Sequence, residues 1–398
     1  MKKRKERPDL LPLSAEGKSY ILFNLAHTYL AVSDYDKAEE VFWSAVRNAE
    51  KNNGQKTKEY AASSLFYIGH IYSIKRDIET ARKCMKRSTH LADSIGYSEI
   101  YVKNIIADAM IDLDLGEYAL SLGKIEALMK RKDVRHDEQN ILKVFNAKAT
   151  VLLWKGEPKR ALPIFLRALK MSESSGDRYF RSALYDNIGQ TYSDLGQYKK
   201  ALEYYFLAVR TDESSGNQSG LISEYTNIGV VYKFLNDPKT ALIYLKKAMN
   251  IVRRTGHLKT EHILYCNIGS ILYDLGKIEE ARGIIEKALA LARKVGDKNT
   301  EGINLGNLAG VLAKCGDMKG ALDCHLKAMK LHKKIDFKQG LAYDLINVAE
   351  ILKSNGDLKG SLEYYREARS LIEKYGVVAP DYDVNRLTEI MKEISKMT

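Results

Sequence analysis

At 398 residues the chain outgrows the size at which one hydrophobic core keeps enlarging, so it reads as several domains or as an array whose units bury their apolar faces on one another. Hydrophobic residues at 45%, charged residues at 29%, 6 Pro and 4 Cys exclude a disordered chain, a Pro-rich linker protein and a disulfide scaffold, and the few cysteines suit a reducing compartment. The net charge of +12 favours acidic partners and says nothing of fold.

The N-terminal segment 1–13 reads as a basic flexible tail, with Lys2, Lys3, Arg4, Lys5 and Arg7 against Glu6. It lacks the apolar core of a secretory signal, and no run of 18 apolar residues follows anywhere, so a cytoplasmic protein without a membrane span is expected. From residue 14 the chain repeats itself. Turn residues fall near Ser33, Arg76, Gly116, Gly156, Gly196, Asn236, Gly276, Gly316 and Gly356, spaced by 40 from Arg76 onward. A second glycine series lies halfway between, at Gly96, Gly176, Gly216, Gly256, Gly296 and Gly376. Each unit is therefore a pair of segments of about twenty residues.

Both segments read as helices. Ala183, Leu184, Ile188, Gly189 and Tyr192 recur at three-to-four spacing, as do Tyr198, Ala201, Leu202, Tyr205 and Ala208. Gly or Asn after a helix suits the left-handed residue that ends it, and Pro158 and Pro238 suit a first helical position. Pro163 falls inside a second helix and predicts a bend. Gly69, Gly189, Gly229 and Gly269 share one register of the first helix, and Ala81, Ala201, Ala241 and Ala281 one register of the second, so the two backbones are expected to approach closely. Beyond 376 the segment 377–398 carries Val384, Leu387, Ile390, Met391 and Ile394 at helical spacing without the repeat's glycine. It reads as a helix capping the last repeat, or as an amphipathic segment that docks elsewhere, including in the chain's own groove.

The pattern Y-x-N-I-G-x-x-Y…L-G…A-L…Y…A, seen in 185–205, 225–245 and 265–285, resembles the tetratricopeptide repeat. The resemblance spans about 14–376. It is strong over 177–376 and weak over 97–136, where Ala107 and Ser121 depart from it. The period of 40 rather than 34 is similar to the long-helix variants of Pins-type adaptors, kinesin light chain and Rap-type receptors. This resemblance implies an all-α, right-handed superhelical solenoid of nine helical hairpins with a C-terminal capping helix, whose first helices line a concave groove.

Asn24, Asn187, Asn227, Asn267, Asn307 and Asn347 hold one register of the first helix, although Asn is a poor helix former. Either each amide pins the stack by bonding the next repeat, or the amides form a ladder that pairs with the main chain of an extended peptide, as the similar adaptors imply. The second reading leads, because the preceding residues Asp186, Thr226, Cys266, Gly306 and Ile346 are mostly small and leave room for a bound backbone. In the N-terminal half, Phe23, Phe66, Tyr67, His70, Leu113, Leu153 and Trp154 occupy groove positions. They read as an apolar pocket for partner side chains or as ordinary packing, with Trp154 the leading candidate because it stands just before a turn.

No phosphate-binding, dinucleotide, zinc-protease or nucleophile-elbow motif is present, so no catalytic residue is assigned and no cofactor expected. Cys315, Cys324, His325 and His332 are the only local Cys/His group, and without a C-x-x-C pair they read as buried thiols and scattered histidines rather than a metal site. The expectation is a non-enzymatic protein-interaction scaffold that takes a peptide or helical segment into its groove. Two alternatives stay open. One is a Rap-like sensor that closes on a signalling peptide, disfavoured because the repeats begin near residue 14 and leave no room for an N-terminal module. The other is a nucleic-acid-associated scaffold using the basic tail, disfavoured because acidic residues interleave the basic pairs.

Overall fold

The Ser14 hydroxyl accepts the Gly17 amide, and the first helix begins on that cap. Asp34, Asp77, Asp137, Asn217, Asp297 and Asp317 cap later helices in the same way, so short polar side chains set these helix starts where their acceptors are needed. Left-handed residues set the stops. The backbone takes φ of 71–84° at Gly116, Gly156, Gly196, Gly276, Gly316 and Gly356, and the same conformation at Arg76 (63°) and Asn236 (58°).

The computed structural model describes residues 13–32, 34–175, 178–255, 260–335, 337–375 and 382–397. The tail 1–12, the turn residue Ser33, the glycines Gly176, Gly256 and Gly376, and residues 377–381 and 398 lie outside the described residues. The chain is all-α and divides into two compact units, Met1–Ser175 and Gly176–Thr398. The first holds α1 (Ala15–Ala31), α2 (Tyr35–Lys51), α3 (Gln55–Ile74), α4 (Ile78–Ser94), α5 (Ser98–Asp114), α6 (Tyr118–Lys130), α7 (Lys132–Arg135), α8 (Glu138–Trp154) and α9 (Pro158–Ser175). The second holds α10 (Arg178–Asp194), α11 (Tyr198–Ser215), α12 (Gln218–Phe234), α13 (Pro238–Thr255), α14 (Glu261–Asp274), α15 (Ile278–Val295), α16 (Lys298–Lys314), α17 (Met318–Lys334), α18 (Lys338–Ser354), α19 (Leu358–Tyr375) and α20 (Val384–Met397). Successive pairs pack as hairpins, and each hairpin packs on the next within its unit.

The glycine register works as a seat for the partner helix. A Cβ on Gly189 would meet the Tyr205 ring at 2.8 Å, one on Gly229 would meet Leu245 at 2.8 Å, and one on Gly269 would meet Ile285 at 2.6 Å. In each case the large side chain stands sixteen residues later, on the second helix of the same hairpin. Tyr205, Leu245 and Ile285 are fully or almost fully buried there, which is where the hydrophobic stabilisation of each hairpin resides.

Two local features differ from the repeat. Helix α9 continues through Pro163, its sixth residue. In the third hairpin, where the repeat pattern is weak, the second helix stops at Lys130 and the four-residue α7 follows. At the far end, Leu387, Ile390 and Ile394 of α20 are buried in one core with Leu341, Leu345, Tyr365 and Ile372 of α18 and α19.

Candidate functional site

In the second unit the first helices α10, α12, α14, α16 and α18 carry Asn187, Asn227, Asn267, Asn307 and Asn347 at one register, all half-buried. Their amides do different things. Asn227 Nδ2 donates to Asp186 Oδ1 at 2.9 Å, and Asn307 Nδ2 donates to Cys266 Sγ at 3.6 Å. Both acceptors stand immediately before the asparagine of the preceding repeat. Asp186 and Cys266, expected to leave room for a guest backbone, each accept a hydrogen bond that links one repeat to the next. Asn347 Nδ2 donates to the Tyr343 carbonyl of its own helix at 2.8 Å. No hydrogen bond joins the Asn267 amide to another described residue.

One turn earlier on the same helices a second register is exposed. Ile263 is 39% exposed, Ile303 37% and Tyr343 49%. Each lies four residues before an asparagine of the ladder, hence on the same helix face. A cavity of about 220 Å³ opens beside Ile263, lined also by Asp186, Ser223, Thr226, Asn227 and Leu264. Burial pushes the Asp186 carboxyl up to about 6, with the Asn227 amide acting against the shift and Asp212 adding to it.

The first unit places its candidates apart. Asn24 is exposed on α1 and donates to the Tyr20 carbonyl of its own helix at 2.9 Å. Phe66 and Tyr67 are half-buried on α3 and touch each other at 5.1 Å. Tyr67 stacks on Phe42 at 5.4 Å and meets His27 at 4.3 Å and Phe23 at 6.0 Å, so its ring belongs to the packing of α1, α2 and α3. Leu153, expected in the groove, is in the core instead. Trp154 is 70% exposed at the end of α8, and no ring contact joins it to another described aromatic residue.

The sequence reading missed the buried ionisable pairs. His332 Nδ1 lies 2.7 Å from Asp344 Oδ2, and His325 Nδ1 lies 3.2 Å from Asp344 Oδ1, with all three side chains buried. The His332 ring is held between Gly302 and Gly340, where a Cβ would come within 2.3 and 2.7 Å of it. Three repeats earlier the same two registers hold Asp212 and Glu224, also buried. Burial, and then Asp186 and Asp212, push the Glu224 carboxyl up to about 9, so it stays protonated at neutral pH. In the two repeats between, these registers hold Val252 with Leu264 and Ala292 with Asn304. An ionisable residue at registers that carry none in the two repeats between was the available signal. In the first unit, buried Asp112 pairs with Arg82 at 2.5 Å and with Lys124 at 2.6 Å.

Cys84, Cys266 and Cys324 are buried and Cys315 is exposed, and burial pushes the Cys266 thiol up to about 12. Among the described residues no group of three or more His, Cys, Asp or Glu is placed to hold a metal ion. No described helix is long and apolar enough to cross a membrane.

Family models for the tetratricopeptide repeat match residues 19–52, 140–214, 225–251 and 264–295. The chain therefore contains tetratricopeptide repeats at those positions. Among solved structures it is similar in fold to a Rap protein complexed with Competence and Sporulation Factor, at 15% identity and a TM-score of 0.64 over 91% of this chain and 99% of that one. The apo form of RapI matches at 19% identity and a TM-score of 0.59 over 90% and 99% of the two chains. Aspartyl phosphate phosphatase F from Bacillus subtilis matches at 15% and 0.59 over 94% and 99%. No protein of curated function matches the sequence. Tetratricopeptide repeats are in general non-catalytic modules that bind proteins or peptides.

Proposed function

We propose that the chain is a non-enzymatic scaffold whose second unit captures an extended peptide along the face of its first helices. The observation that carries this reading is the pairing of two registers: exposed apolar Ile263, Ile303 and Tyr343 beside the amides of Asn267, Asn307 and Asn347. A soluble protein gains nothing by repeating exposed large apolar residues at one register unless something covers them. The amides supply donors and acceptors for a peptide main chain, and the apolar register supplies side-chain contact. Asn187 and Asn227 extend the ladder toward the cavity beside Asp186. In the first unit, exposed Trp154 is a separate anchor for a partner, Asn24 adds a polar contact on α1, and the Phe66–Tyr67 pair backs that face. The free cysteines fit action in the cytoplasm.

The test is to pan a random-peptide display library on the purified chain. Peptides that bind at this face lose at least about tenfold in affinity, roughly 1.4 kcal/mol, on Ile263→Asp/Ile303→Asp and on Asn267→Ala/Asn347→Ala, with helicity unchanged. Peptides that bind both variants like wild type would overturn the reading.

The second reading is a peptide-responsive regulator. It is supported by the fold match to a Rap protein complexed with Competence and Sporulation Factor, which takes in 99% of that chain and so removes the argument from length against it. Small-angle scattering with a selected peptide separates the two. A smaller radius of gyration on binding favours the regulator, and an unchanged one the scaffold.

A further inference from the structure

Helix α1 is apolar on two faces. Through Phe23, Ala26 and Leu30 it packs in one core with Phe42 of α2 and Ile68 of α3. On its other side Ile21 is 46% exposed and Leu25 41%, and Val32, just past its end, is 70% exposed. Spacings of four and seven put these three on one face, with exposed Thr28 between them. A helix that is apolar all round belongs in an interior.

The later repeats show what such a face does. Ile21 stands three residues before Asn24, Leu25 one residue after it and Thr28 four residues after it. On later first helices the same three registers are buried: the first at Leu264 and Asp344, the second at Ile228 and Val348, the third at Val231, Ile271 and Val311. The first register is where a first helix meets the hairpin before it. Leu264 shares a core with Val252 of α13, and Asp344 pairs with His332 of α17. Helix α1 thus presents a stacking face, and no hairpin among the described residues stands before it.

The last helix is built differently. It buries Leu387, Ile390 and Ile394 and leaves Arg386, Glu389, Lys392, Glu393 and Lys396 exposed. A charged outer face of that kind is what closes a repeat array. On α1, Glu16 and Lys18 are the only Asp, Glu, Lys or Arg residues, and both lie in its first turn.

We propose that the exposed face of α1 is covered by the same face of a second copy, in a two-fold dimer. Charge selects this occupant. Set against the outer face of α20, the stripe would strip water from the ionised side chains there, so copies do not chain head to tail. Set against another α1, it meets an uncharged surface, and an antiparallel crossing keeps Glu16 and Lys18 of the two copies at opposite ends of the contact. Such a contact is isologous and closes at two. One helix per copy makes a small interface, so association in the micromolar range is expected.

The test is sedimentation equilibrium of the full chain from about 1 to about 100 µM. Wild type should reach twice the chain mass within that range. Ile21→Asp/Leu25→Asp alters two exposed side chains and sets carboxylates of both copies against one another, so it should keep its helicity and associate at least about tenfold less tightly. A wild type that stays monomeric at about 100 µM overturns the proposal and leaves the face to the chain's own tail or to a different protein. A folded double variant that still dimerises overturns it too, because the dimer then uses another surface. Cross-linking tests the geometry without added charge. In a Cys315→Ser background, which removes the exposed native thiol, Leu25→Cys lies near the two-fold and should oxidise to a linked dimer. Val32→Cys, seven residues along, stands about 20 Å from its mate in an antiparallel pair and should stay unlinked. Failure of Leu25→Cys to link, or equal linking of both, overturns the antiparallel two-fold.

Discussion

Glu224 is a carboxyl group that the fold keeps protonated. Burial and two neighbouring acids raise its pKa to about 9, whereas the unfolded chain releases that proton near about 4.3. Between those values the folded state holds more protons than the unfolded one, so stability falls as pH rises from about 4.3 to about 9 and then levels. Asp186, raised to about 6, adds to the lower part of the same window. Urea denaturation at pH 5, 7 and 9 should show this decline in wild type and a smaller one in Glu224→Gln. Equal declines would remove Glu224 as its source. Gly229 is the opposite case, a residue chosen for lacking atoms. An added methyl meets Leu245 at 2.8 Å and the Ala241 carbonyl at 3.2 Å. Overpacking costs about 1–3 kcal/mol, against about 1 kcal/mol gained from helix propensity. Gly229→Ala should therefore lower the urea midpoint with an unchanged slope, and a raised midpoint would mean that Leu245 has room to move.

At the scale of the element, much was legible because the repeat writes the same constraint many times. Gly189, Gly229 and Gly269 recur because each seats a large side chain of the next helix, and the turn glycines recur because each needs a left-handed backbone. The short α6 and the extra α7 were not legible, because Ser121 and its surroundings break the pattern without writing another. Its hydroxyl donates to the Ala109 carbonyl, a contact that no spacing announces. The anchoring of Asn227 on Asp186 was half legible: the register was plain, and the direction of the amide was not. The terminal helix α20 was legible from its own periodicity, and its buried face yields a prediction. Leu387→Asp places a charge against Leu341, Leu345 and Tyr365, and should release backbone hydrogen-exchange protection in α18 and α19. Unchanged protection there would mean that the last repeat is stable without its cover.

At the scale of the whole molecule, stability is local, because each helix packs on partners near it in the chain. Leu65→Ala, which removes a buried side chain from the core of α1 to α4, should cost about 2–5 kcal/mol there. It should loosen hydrogen exchange in α1–α4 and leave α16–α19 unchanged, and loss of protection at both ends would show a single cooperative transition instead. Near-identical hairpins also face a hazard that dissimilar ones escape: during folding any hairpin can dock against a neighbour meant for another. The junctions marked by Asp212 with Glu224 and by His332 with Asp344 resist this. A slip of one repeat would set Asp344 against Ala292 and strand a buried carboxylate, at a cost of about 3–5 kcal/mol. These two pairs act as address labels in an otherwise repetitive text, and their spacing of three repeats sets the longest misreading that could pass unnoticed.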